Sequence, residues 1–311
     1  MSVFPSTAFV LGAGLGTRLK ALTQHLPKPL IPVCNKPLIH SAFAHLSGIG
    51  VQRFVVNTHW LAQAYSEAFP TNSWEGFPIH FSHETPEVLE TAGGLKFAES
   101  HLPKSEPFWV YNGDILSTLP LKVAWEAHQR AGNEVTLVLR SKDGPLQVSF
   151  DPETGRIIDL GNRLHSDLKA EFLFTGIYIV EPSFLKRIPP HEKMSVVPVF
   201  IDMIRSGAKL GGVVVDSGHW WDLGTREQII AVHQFMAGEG APWVGREAQV
   251  HATAELAGAT AVGAKAQIGA GAILRDTIVW NGAVIPPLTE LNRCIVTGGD
   301  LMMGNYVDAD L

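Results

Sequence analysis

Between residues 250 and 280 a large apolar side chain returns at every sixth position, as Val250, Leu256, Val262, Ile268, Leu274 and Trp280. Four residues after each stand Ala254, Thr260, Ala266, Ala272, Ile278 and Val284, small in the first four cases. Neither a helix nor a two-sided sheet has that period. A six-residue repeat of large and small inward positions specifies a hexapeptide β-helix. One coil buries its apolar residues only against the next, so the segment must fold as a stack. The pattern is expected to end after Pro286-Pro287, as a capping end does. Residues 247–311 are therefore read as a short β-helix with its cap, and 237–246 as a linker rich in Gly and Ala.

The first 236 residues have another texture, and 311 residues in all exceed what a single core usually serves. Short apolar strands (9–11, 53–57, 78–82, 108–111, 134–140) alternate with helical periodicity at 37–50 and 121–131. The 37–50 helix has Leu38, Ala42, Leu46 and Ile49 on one face, and Thr58 is an N-cap candidate for a further helix. That alternation predicts an α/β domain with a largely parallel, doubly wound sheet. Segments 146–150 and 156–160 flank the turn Asp151-Pro152-Glu153-Thr154-Gly155 and predict a hairpin laid over the sheet. A helix at 195–206 and a strand at 210–216 follow.

The first strand runs into Leu11-Gly12-Ala13-Gly14-Leu15-Gly16-Thr17-Arg18, with Pro27-Lys28-Pro29-Leu30 downstream. Alternate glycines allow a sharp turn and a close backbone approach to a ligand. Successive N–H groups in such a turn make a concave anion site, with Arg18 and Lys28 adding positive charge. The combination suits a nucleoside triphosphate. A dinucleotide-binding turn would need Gly at the sixth position, where Thr17 stands, and an acidic residue about 20 residues on; 32–40 contains none. A P-loop would need Gly-Lys-Ser/Thr, which does not occur.

The string from Leu11 through Pro27-Lys28-Pro29-Leu30-Ile31-Pro32-Val33 resembles the signature of sugar-1-phosphate nucleotidyltransferases. The resemblance implies a Rossmann-like mixed, mostly parallel sheet with helices on both faces. It implies nucleotide contacts from Leu11, Gly12, Ala13, Gly14, Gly16 and Thr17. Glu84 and Leu89-Glu90-Thr91-Ala92-Gly93-Gly94 resemble the family's base-binding segment, so Glu84, Thr91 and Gly93 join that set; an ordinary helix cap at Thr91 is the alternative. Asn112-Gly113-Asp114 follows an apolar strand, where open α/β sheets bind ligands. The motif matches the family's metal-binding aspartate, so Asn112 and Gly113 are expected at the nucleotide and Asp114 on Mg²⁺, which prefers hard oxygen ligands.

Glu171 to Ile179 resembles the sugar-contacting segment, implying sugar-phosphate contacts from Glu171 and Gly176. Many relatives hold the sugar phosphate with the lysine of a Glu-Lys-Pro, absent here, and Lys169 is the nearest substitute. Trp220-Trp221-Asp222-Leu223-Gly224-Thr225 resembles the second metal motif. An Asp there would otherwise cap the next helix, but Thr225 and Gln228 already have capping-box spacing, leaving Asp222 as the partner of Asp114. Asp216 is a weaker candidate.

The implied reaction is NTP plus sugar 1-phosphate to NDP-sugar plus pyrophosphate, with Arg18 on the departing pyrophosphate and Lys28 on the phosphates at the reacting end. Two other classes stay open: a non-catalytic regulatory or scaffold relative, and a bifunctional enzyme using His251 for acyl transfer. The Glu-Thr-Ala-Gly-Gly loop leans toward N-acetylmuramate-1-phosphate uridylyltransferases, the tail toward mannose-1-phosphate guanylyltransferases or glucose-1-phosphate thymidylyltransferases. A net charge of −6 with no basic block argues against nucleic acid as a partner. No window has the apolar span of a membrane helix, and Cys34 and Cys294 read as small buried hydrophobes rather than a disulfide framework. A cytoplasmic location, no membrane partner and a homo-oligomer formed through the β-helix are the corresponding expectations.

Overall fold

The computed structural model describes residues 4–14 and 16–311; Leu15 of the glycine loop and the first three residues lie outside them. Two compact units divide the chain, one of 1–15 with 39–222 and one of 16–38 with 223–311.

The first unit is built on a ten-stranded sheet. From one edge the strands are Val148–Asp151, Arg156–Leu160, Leu210–Val214, Val135–Arg140, Leu173–Val180, Phe108–Asn112, Thr7–Leu11, Arg53–Thr58, Phe77–His83 and Ser73–Trp74. Phe108, Trp109, Val110 and Tyr111 are buried on both faces, as a central strand covered by helices requires. Thr7–Leu11 lies parallel to Arg53–Thr58 on one side and to Phe108–Asn112 on the other. From the first strand the chain winds outward through Arg53–Thr58 and Phe77–His83, then returns to the opposite side. That reversal is a topological switch point, and right-handed crossovers put helices on both faces of the sheet.

Leu173–Val180 is antiparallel to both neighbours, and its register slips between Phe174 and Tyr178, where Gly176 has φ of +78°. The 148–160 hairpin does not lie over the sheet: it extends the edge, antiparallel to Leu210–Val214 through Arg156 and Gly211. Thr58 is no cap either. It ends its strand, buried, and the next helix starts at Ala62 behind a left-handed Leu61.

The second unit opens with 3₁₀ turns at Thr17–Thr23 and Lys28–Leu30 and a small hairpin of Pro32–Val33 with Lys36–Pro37. The helix Arg226–Met236 has the expected capping box: Thr225 Oγ1 accepts from Gln228 N, and Gln228 Oε1 accepts from Thr225 N at 3.0 Å. Three parallel sheets of four, three and four strands follow, the first three coils each giving one strand to each, which is the wiring of a β-helix. Trp243–Val244 is already its first strand.

The six-residue register holds for one coil and then loses a residue. Ala261 pairs with Trp243, 18 positions back, but Ile278 pairs with Ala261, only 17 on. The missing residue falls at the corner before Thr277, where Asp276 has φ of +47°. The buried large positions are therefore Val262, Ile268, Leu274, Val279, Ile285, Leu291 and Val296, with Val279 where the strict period puts Trp280. The small positions continue as Thr277, Ala283, Thr289 and Cys294, not Ile278 and Val284. Stacking persists beyond Pro286-Pro287 to Asn305–Val307. Cys294 is buried in this column, whereas Cys34 is only part-buried, at the hairpin turn. Among the described residues no helix is long and apolar enough to cross a membrane.

Candidate active site

The glycine loop leaves the sheet at the switch point, beside the turn after Phe108–Asn112. Leu11 pairs with Asn112, and Gly113 N–H donates to Leu11 O at 2.9 Å. A Cβ on Gly113 would lie 2.6 Å from that carbonyl, so only glycine lets the two turns touch. Asp114 follows directly. Its neighbour Ile115 pairs with Asp222 across the antiparallel strands Ile115–Ser117 and Trp220–Asp222. Trp220 Nε1 donates to Thr175 O at 2.9 Å and fastens the second strand. The first unit thus brings Gly12, Gly14, Asn112, Gly113, Asp114 and Asp222 to the same end of its sheet.

A buried chain of polar groups sets the loop's shape. Asn57, at the end of Arg53–Thr58, accepts from Gly12 N at 2.8 Å and donates to Glu84 Oε1 at 2.7 Å. Glu84 Oε2 accepts from Leu89 N at 2.7 Å, and Tyr65 Oη donates to Gly12 O at 2.8 Å. Both backbone groups of Gly12 are taken internally, so this residue shapes the turn and its N–H is not offered to a ligand. A Cβ there would fall 2.6 Å from Asn57 O. Burial raises the Glu84 carboxyl above its ordinary range, against the opposing pull of the Leu89 and Asn57 donors. Burial, and then the negative charge of Asp114, push the Tyr65 hydroxyl up, keeping it a donor.

Gly14 differs from its neighbours. Among the described residues a Cβ there would meet nothing within 4 Å, and the residue is exposed. Packing therefore does not explain this glycine.

Other sequence-based candidates have internal partners. Glu84 is fully buried with both oxygens engaged, so it reaches a ligand only through Asn57 and Leu89. Thr91 lies in the helix Glu90–Phe97, and its hydroxyl accepts from Val196 N at 2.7 Å. Gly93 N donates to Met194 O at 3.1 Å, and a Cβ there would fall 2.4 Å from Glu192 O. The space beside Gly176 is filled by Asn112, whose Nδ2 would be 2.4 Å from a Cβ, so Asn112 rather than a sugar accounts for this glycine. Both carboxylate oxygens of Asp216 accept from Ser141, at 2.9 and 2.8 Å, which makes it structural. His59 Nδ1 bonds Glu84 O at 2.9 Å.

Lys169 and Glu171 pair with each other at 3.8 Å, with Lys169 83% exposed. Nearby, Arg163 lines a pocket of about 500 Å³ with Gln147, Asn162 and Phe174, to which Lys169 does not contribute. Arg163, six residues before Lys169, is itself exposed.

In the second unit Gly16 has φ of +63°, and its carbonyl accepts from Thr23 Oγ1 at 3.1 Å. Thr17 and Arg18 are exposed. A Cβ on Gly224 would lie 2.7 Å from the guanidinium carbon and both terminal nitrogens of Arg18, so the Arg18 head rests on this glycine. Lys28 is 5% exposed, against apolar neighbours such as Ile31, Leu38 and Leu223.

The donor set fits Mg²⁺. Asp114, in the turn before Ile115–Ser117, and Asp222, paired opposite Ile115, carry the hard oxygen donors that Mg²⁺ prefers; among the described residues no group of three or more His, Cys, Asp or Glu lies together.

The nucleotidyl transferase family model matches residues 7–239. The chain is 31% identical over 314 residues to a probable mannose-1-phosphate guanylyltransferase 3 of Oryza sativa subsp. japonica, covering 94% of this chain and 81% of that protein. It is 28% identical to a mannose-1-phosphate guanylyltransferase of Mycobacterium tuberculosis, over 91% of this chain and 82% of that one. Among solved structures, the inositol-1-phosphate CTP transferase from T. maritima superposes with a TM-score of 0.63 at 19% identity, covering 73% of this chain and 93% of that one. HddC from Yersinia pseudotuberculosis complexed with GMP-PN gives 0.59 at 21%, covering 73% and 97%. These two likenesses are of fold.

Proposed function

The chain belongs to the nucleotidyl transferase family, and from that premise we infer that it transfers a nucleotidyl group from an NTP to a sugar 1-phosphate, releasing pyrophosphate. The observation that carries the reading is Gly14, an exposed loop glycine at a switch point with open space where a side chain would be. A bound triphosphate gives that space a use.

The acceptor phosphate is already ionised at neutral pH, so no side chain has to remove a proton. The protein's work is to position two anions for in-line attack and to neutralise their charge. Asp114 and Asp222 would hold Mg²⁺, which when bound supplies positive charge beside the α-phosphate. The glycine loop receives the triphosphate, Arg18 takes the departing pyrophosphate, and Lys28 holds the phosphates at the reacting end. Arg163, exposed like Lys169 but lining a pocket with Gln147 and Asn162, is the better-placed holder of the sugar phosphate. Guanylyltransferase relatives aligned along 91% and 94% of this chain favour GTP and mannose 1-phosphate as the pair.

The test is pyrophosphate release with Mg²⁺ across UTP, GTP, dTTP, CTP and ATP and a panel of sugar 1-phosphates. Removing one preorganised charge typically costs ~10²–10³ in rate, so Asp114→Asn should lose at least ~10² while staying folded. Near-wild-type turnover in Asp114→Asn, or no turnover and no nucleotide binding by the native chain, would overturn the reading.

A further inference from the structure

We propose that Asn35 is a positioning residue through which the β-helix holds the Lys28 segment in place. The inference rests on the reading of Lys28 given above. Pro32–Val33 and Lys36–Pro37 form a hairpin whose two turn residues, Cys34 and Asn35, have φ of 48° and 63°. A two-residue turn with both φ values positive favours Asn or Gly, and here the Asn side chain also makes bonds. Its Nδ2 donates both hydrogens, to Trp243 O at 3.2 Å and to Val262 O at 2.8 Å. Those carbonyls belong to successive coils, since Val262 lies in the strand that pairs with Trp243–Val244. One amide therefore ties the hairpin to two coils at once.

A second tie flanks the first. Cys34 N donates to His233 Nε2 at 2.9 Å, and His233 Nδ1 donates in turn to Ile229 O at 2.8 Å. On its other side the hairpin is continuous with the lysine. Ile31 N bonds Lys28 O at 3.1 Å, and Leu38 N bonds Ile31 O at 3.0 Å, closing the 3₁₀ turn onto the hairpin's base. Lys28, almost buried, has its backbone fixed between these closures. Loss of the Asn35 bonds lets the turn shift, and a misplacement on the order of 1 Å at a positioned group costs ~10² in rate. The β-helix is in this sense part of the phosphate-holding apparatus.

The experiment is a double-mutant cycle on the full chain. Asn35→Gly keeps the left-handed turn and removes the amide; Asn35→Asp keeps the side chain's shape and faces a carboxylate to two carbonyls. Turnover and KM are measured with the active NTP and sugar 1-phosphate, alone and in a Lys28→Ala background. If no pair turns over, the same cycle is read on GTP affinity by equilibrium dialysis. Asn35→Gly is expected to lower kcat, or GTP affinity, at least ~10-fold with little change in Tm, and Asn35→Asp further. In Lys28→Ala, Asn35→Gly should then have no additional effect, because the group it positions is gone. A merely structural Asn35 would give the same fractional loss in both backgrounds, and that result, or an unaffected Asn35→Gly beside an impaired Lys28→Ala, overturns this proposal alone. Native behaviour of Lys28→Ala overturns the assignment of Lys28 itself, and this proposal with it.

Discussion

Lowering the pH from 7 to 5 should weaken the second unit by about 2 kcal/mol through His233 alone. Its imidazole is 1% exposed, with Nδ1 on Ile229 O and Nε2 accepting from Cys34 N–H. A second ring proton would point at that N–H. Burial lowers the pKa from 6.5 to about 4, although the Ile229 carbonyl pulls the other way. Below the unfolded value the unfolded chain takes up a proton that the folded chain refuses. The contribution is therefore complete above pH 6.5 and is lost as the pH falls toward 4. At ~1.4 kcal/mol per pKa unit the full gap is on the order of 3 kcal/mol, of which about 2 is gone by pH 5. The assay is urea unfolding of the native chain and His233→Gln at both pH values. Trp243, whose ring centroid is 6.0 Å from that of His233, reports the transition by fluorescence. Subtracting the variant cancels other titrating groups, including His45 and His128, which burial also lowers. The native chain's advantage should shrink by about 2 kcal/mol between pH 7 and pH 5. An advantage that stays constant refutes the argument.

The glycine loop and the sugar-phosphate pocket give further tests. Gly14→Ala adds a methyl into open space, so its stability should change by less than ~1 kcal/mol while NTP affinity falls at least ~10-fold. Gly12→Ala does the reverse, costing about 1–3 kcal/mol in denaturant titrations because its Cβ would meet Asn57 O at 2.6 Å and Tyr65 Oη at 2.9 Å. Equal effects on stability from the two would contradict the division of labour within the loop. Arg163→Ala should raise KM for the sugar 1-phosphate at least ~10-fold, and Lys169→Ala by less than ~2-fold, since an exposed ion pair contributes little. The opposite ranking would return the role to Lys169.

What could be read in the sequence was what the chain writes locally. Gly12 to Gly14 and Asn112 to Asp114 follow strand ends and Trp220 to Asp222 is a short strand; each was picked out by its resemblance to a short family motif, which the sequence carries whole. Asn57 and Tyr65 left no such trace. They act on Gly12 from 45 and 53 residues away, through buried bonds whose partners only the folded sheet supplies. Glycines were ambiguous for the same reason: Gly14 faces open space, but Gly176 exists for Asn112, and nothing in either neighbourhood tells them apart. The β-helix was legible through its period until the corner at Asp276 dropped one residue. A rigid count of six then pointed to Val284, which is 46% exposed, in place of Ala283. The edge hairpin was misjudged because pairing of Arg156 with Gly211 is set by the register of the sheet, not by either segment.

The second unit joins residues 16–38 to 223–311, with the whole of 39–222 between them. During synthesis, at ~5–20 residues per second, the ribosome needs roughly 10–40 s to cross that interval. For that time the segment bearing Arg18 and Lys28 is already outside while Trp243 and Val262, the carbonyl partners of Asn35, do not yet exist. The sheet of the first unit takes no strand from 16–38, and that loop closes only when the C-terminal coils emerge. The segment of Arg18 and Lys28 is therefore expected to be ordered last. A nascent chain stalled before residue 243 should remain without them in place, however complete its sheet.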